Sequence, residues 1–163
     1  DGEMPSFVHE TVFSFLFLII GVWGKPRGAR VMGPGLKFVL NPRRGRMPDM
    51  SVFLSGAKLP QRTGGVRTQP SIAIEIVTPT PRDERRDRVD KLTDYAEFGI
   101  PWYWIVDPAL RTLEIWELGE NGRYSRALAA SEGIVDAIPA CPDLALDLDA
   151  LWHEIDSLPP DEE

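Results

Sequence analysis

The segment Ser71-Ile72-Ala73-Ile74-Glu75-Ile76-Val77 constrains this chain more than any other. Side chains alternate across a strand, so Ile72, Ile74 and Ile76 share one face and Ala73, Glu75 and Val77 the other. Both faces are apolar except at Glu75. Such a strand belongs at the centre of a sheet covered on both sides. Glu75 is then a carboxylate in a low-dielectric setting, where an ionised group is costly unless something pairs with it.

The surrounding pattern supplies the rest of a mixed sheet with helices packed on it, an α/β (α+β) fold. A helix is expected from about Phe7 to Val22, ended by Gly24, Pro26 and Gly28. Extended segments are expected at Ala29–Met32, Leu36–Leu40 and Asp49–Leu54, with Gly33-Pro34-Gly35 and Asn41-Pro42-Arg43 as turns. Ser55–Gln69, rich in Gly and polar residues, is expected to be a mobile loop. After Pro79 and Pro81, Asp83 is placed to cap a helix running to Phe98, with Gly99 just past its end. Strands are expected at Trp102–Val106, Thr112–Leu118 and Arg123–Leu128, the last pair joined through Asn121-Gly122. A short helix is expected near Leu148–Ile155. One domain is expected over residues 1–163, with its core at about 6–118 and an acidic extension at 119–163.

Cys141 is the only cysteine, so no disulfide can form within the chain, and a reducing, cytoplasmic setting is expected. The apolar run Val12–Trp23 is shorter than the roughly 20 residues of a membrane span, and acids rather than bases precede it. A buried helix is expected there, with a partner interface as the alternative. The chain starts at Asp1 rather than Met, and further residues are expected upstream.

The net charge of −7 hides a division. Residues 1–106 carry a balance of +4 and residues 107–163 a balance of −11. An acidic total argues against general nucleic-acid binding. Yet Arg43, Arg44 and Arg46 precede Asp49, and Arg82, Arg85, Arg86 and Arg88 precede Lys91. Local positive charge of this kind can hold a phosphate backbone. A solvated charged surface would look the same.

Asp49, Glu75 and Lys91 are the candidate catalytic residues. Two carboxylates with waters and substrate oxygens suit Mg²⁺ (or Mn²⁺), and a bound divalent ion can promote phosphodiester hydrolysis. Asp49, Glu75 and the carbonyl of Ile76 are the expected metal ligands. Lys91, as an ammonium, suits orientation of water or phosphate better than proton abstraction. Simpler readings stay open: a turn aspartate after Pro48, a structural ion pair at Glu75, and a surface Lys91 paired with Asp87. Whether His9, Glu10 or Asp87 assist the site stays open: His9 suits a capping or packed residue better than a ligand, and Asp87 suits support of the site better than ligation. Tyr95, Trp102, Tyr103 and Trp104 suit the core.

The order of these segments resembles the PD-(D/E)XK nuclease superfamily, and within it the Uma-type family of restriction-endonuclease-like proteins. The carriers are Asp1-Gly2-Glu3 with His9, Pro48-Asp49 with Ser51-Val52, and Ile74-Glu75-Ile76-Val77-Thr78-Pro79-Thr80. They continue with Asp87-Arg88-Val89-Asp90-Lys91, Tyr95, Gly99-Ile100-Pro101 and Tyr103-Trp104-Ile105-Val106-Asp107-Pro108. The resemblance implies a metal-dependent endonuclease acting on DNA. Superfamily members often carry Lys two residues after the strand acid; here Val77 stands there, and the resemblance gives that role to Lys91. A homodimer is expected, since a two-fold pair can place two sites on a duplex. The alternative is a nuclease-like fold kept as a nucleic-acid-binding or protein-interaction module.

Overall fold

The computed structural model describes residues 6–78 and 84–162, with only the backbone of residues 84–87. The expectations at Asp1-Gly2-Glu3, Pro79, Thr80, Pro81, Arg82 and Asp83 lie outside the described residues.

Helix α1 spans Phe7–Gly24. The Ser6 hydroxyl caps it by accepting from the His9 amide at 3.0 Å. Val12, Leu16 and Ile20 repeat every four residues and are fully buried. Burial is one-sided, because Phe7, Leu18 and Val22 remain exposed. The buried helix expected over Val12–Trp23 is thus buried along one stripe, through Val12, Leu16, Ile20 and Trp23. The stretch Phe7–Arg27 is also long and apolar enough to cross a membrane by length and composition, beyond what the shorter run Val12–Trp23 suggested. The chain turns out of α1 at Gly28, whose φ of +76° suits glycine.

The main sheet contains β1 (Arg30–Met32), β4 (Met50–Phe53), β5 (Ile72–Ile76), β6 (Trp102–Asp107), β7 (Thr112–Leu118) and β8 (Tyr124–Ala130). Its order is β1-β4-β5-β6-β7-β8. Only β5 and β6 run parallel. Helix α2 (Glu84–Phe98) connects them, as a parallel pair requires. It ends in a Schellman turn: Ile100 N–H donates to Tyr95 C=O and Gly99 N–H to Ala96 C=O, both at 3.1 Å.

The two faces of β5 part as the alternation demands. Ile72, Ile74 and Ile76 join α1 and α3 (Leu148–Asp156) in the larger core. Ala73 joins Tyr95 and Tyr103 in a smaller core under α2. The acidic region 119–163 supplies Leu144, Leu146, Leu151 and Trp152 to the larger core, so it is packed structure as well as charge.

Two features escaped sequence reading. Arg44–Arg46 forms β3, which pairs antiparallel with β2 (Phe38–Asn41). A short ladder also joins β9 (Ile134–Val135) to β10 (Leu146–Asp147). Ser55–Gln69 is irregular but tied down: Val66 is buried, donates to Lys37 C=O and accepts from Val39 N–H, both at 2.8 Å.

Candidate active site

Asp49 ends the approach to β4. In the β4–β5 register Met50 lies opposite Ile74, so one further step sets Asp49 opposite Glu75. The Ile76 amide donates to Asp49 Oδ2 at 2.7 Å. A residue in an extended strand aims its N–H and C=O at the same edge, so the Ile76 carbonyl also faces the Asp49 side.

Helix α2 covers the other side of Glu75. Lys91 and Tyr95 are four residues apart, on one face of the helix. The Lys91 ammonium donates to Glu75 Oε2 at 3.3 Å, and the Tyr95 hydroxyl donates to Oε1 at 2.7 Å. From α1, His9 Nε2 lies 3.1 Å from Asp49 Oδ1, and its Nδ1 lies 3.4 Å from Glu10 Oε1. Two ring nitrogens facing two carboxylates suit the doubly protonated imidazolium. The Asp49 contact is the main reason the His9 pKa is raised.

Glu75 is 6% exposed. Burial pushes its pKa up to about 7, with the Lys91 ammonium opposing and the charge of Asp49 adding. The Tyr95 hydroxyl favours the charged form, but less than burial disfavours it. Tyr95 itself is held well above its ordinary value, first by burial and then by Glu75, so it remains a neutral donor.

Among the described residues each oxygen of both carboxylates has one donor, which leaves further acceptor capacity on each. Among the described residues no group of three or more His, Cys, Asp or Glu side chains forms a ready metal cage. Two carboxylates and a backbone carbonyl instead suit an ion that keeps waters, as Mg²⁺ does. The structure thus brings Asp49, Glu75 and Lys91 together, with His9 on the far side of Asp49. Tyr95 packs in the smaller core, as its residue type implies, but its hydroxyl also serves Glu75. Its spacing of four from Lys91 was the available signal. The Asp87 side chain lies outside the described residues. Arg88 is engaged with Asp107 at 3.4 Å, which draws it away from the role of phosphate holder.

The fold and this cluster of two carboxylates with a lysine define a protein of restriction-endonuclease-like architecture. The sequence profile of the Uma2 family, described as a putative restriction endonuclease, matches residues 2–149. The chain belongs to that family. It is similar to a solved structure from Anabaena variabilis ATCC 29413, described as a putative nuclease belonging to DUF820. The two share 20% identity at a TM-score of 0.71, covering 94% of this chain and 84% of the other, which shows the shared fold. No curated protein matches.

Proposed function

We propose that the protein is a metal-dependent endonuclease that hydrolyses phosphodiester bonds in DNA. The observation that carries this is the Glu75 carboxylate, buried between Lys91 and Asp49 and only partly neutralised. Membership of a family described as restriction endonucleases supports the reaction class.

Asp49, Glu75 and the Ile76 carbonyl would hold Mg²⁺ or Mn²⁺. Such an ion supplies charge neutralisation on the phosphate and a lowered pKa for attacking water. The chain's own residues do the rest. The Ile76 amide fixes one Asp49 oxygen and His9 the other, so the carboxylate is oriented before a ligand arrives. Tyr95 holds Glu75 in the same way. Lys91, already beside Glu75, is placed to orient a water or a non-bridging phosphate oxygen as a fixed positive charge.

Plasmid nicking with and without Mg²⁺ tests the proposal. Glu75→Gln and Asp49→Asn should each reduce cleavage by roughly 10³-fold. Cleavage at the parent rate by both variants would refute the site. The assembly proposed is a homodimer, to be tested by sedimentation, and the setting proposed is the cytoplasm. The lone Cys141 suits that setting, since burial pushes its thiol up to about 11 and leaves it unreactive.

A further inference from the structure

Between Glu10 and Glu75 the chain carries ten Lys/Arg and a single acid, Asp49. This stretch supplies most of α1, β1, the β2–β3 hairpin, β4, the segment docked through Val66 and most of β5. The acid-rich C-terminal third supplies β8, the opposite edge of the sheet. Along the strand order the basic stretch supplies β1 and β4 at one end and the acid-rich third supplies β7 and β8 at the other, with Asp49 and Glu75 towards the basic end.

The hairpin is fastened to the helix that serves the site. Asp94 is 3% exposed and accepts from Arg44 Nη1 at 2.6 Å and from Arg46 Nε at 2.8 Å. Asp94 lies next to Tyr95 and three residues after Lys91, so one face of α2 holds both Glu75 and the hairpin. Phe38 packs edge-on against Phe98 at 6.1 Å and strengthens the same junction. Arg44 and Arg46 are thus occupied with fastening. Lys37, Arg43, Arg62 and Arg67 lie exposed around the hairpin. Among the described residues neither Lys37 nor Arg43 has an acidic partner. Lys37 extends over Gly45, where any Cβ would come within 2.6 Å of its Cε.

We infer that the β2–β3 hairpin, with the segment docked through Val66, is an arm that grips the nucleic-acid backbone, latched to α2 by Asp94. This rests on the endonuclease reading and adds where the substrate lies. Lys37 and Arg43 contact phosphates, and the Asp94 latch fixes the distance from those phosphates to Glu75. Phosphate contacts of this type position a duplex without reading its sequence.

The test is fluorescence anisotropy of a short labelled DNA duplex with the intact protein in EDTA, across a salt series. Combined Lys37→Ala and Arg43→Ala should weaken binding roughly tenfold and lower the log–log salt slope by about 2. Both side chains are exposed, so thermal melting should not move. Combined Arg123→Ala and Arg126→Ala, at the β8 edge, should leave binding unchanged. Equal binding by the arm variant, or an equal loss at the β8 edge, overturns the arm. Because cleavage plays no part, arm-dependent binding by a protein that never nicks plasmid would uphold the arm and refute only the hydrolase.

Discussion

Glu75 and Asp94 are both buried carboxylates at helix α2, one facing it and one carried on it, yet their charge is met differently. Asp94 receives two guanidinium groups at 2.6 and 2.8 Å. Glu75 receives one ammonium at 3.3 Å and a neutral phenol at 2.7 Å, and it feels the negative charge of Asp49. Asp107, ending the neighbouring strand β6, resembles Asp94 in being well served: it accepts from the Ala109 and Leu110 amides, both at 3.0 Å, and from Arg88. Burial alone therefore does not decide how a carboxylate's charge is met. Asp94 has two cations and Asp107 one cation with two backbone amides, whereas Glu75 has one cation, one phenol and a negative neighbour.

Removing each group should sharpen this contrast. The largest effect is Glu75→Gln, with cleavage down roughly 10³-fold while the fold gains stability at pH 8. The sign follows from proton binding. Between pH 4.5 and about 7 the unfolded chain releases the Glu75 proton and the folded chain keeps it, so stability falls as pH rises through that window. Urea unfolding of parent and variant should agree near pH 4 and diverge by up to about 3 kcal/mol at pH 8. A Glu75 whose charge was fully met by its partners would show no such divergence.

Asp94→Ala should instead destabilise the protein at neutral pH, by about 2–3 kcal/mol, because a buried carboxylate loses two charge-assisted hydrogen bonds from Arg44 and Arg46. Thermal melting measures this. A stabilising outcome would place Asp94 in the same category as Glu75. Tyr95→Phe should cost less, about 1–2 kcal/mol, as one hydrogen bond to a charged group is lost. The smallest effect belongs to the exposed pair Arg111–Asp156. Arg111→Lys should leave the urea midpoint where it was.

The sequence made β5 legible because a strand apolar on both faces has few places to go. The segments Thr112–Leu118 and Glu84–Phe98 also carried clear patterns. β3 was not legible: Arg44-Gly45-Arg46 has no apolar alternation, and it becomes a strand only because β2 and Asp94 hold it. The site was visible as residue types, not as a network. Glu75 stood out because its neighbours were apolar, whereas Tyr95 was hidden among core aromatics that bury equally well. The contact of His9 with Asp49 spans 40 positions and depends on how α1 packs, which no local pattern records.

Whether the partly neutralised carboxylate accepts a cation is the most direct question. Calorimetric titration of the protein with Mn²⁺ or Mg²⁺ at pH 8 answers it, with Glu75→Gln in parallel. Saturable binding by the parent that disappears in the variant is expected. No binding by the parent, or equal binding by both, would contradict it.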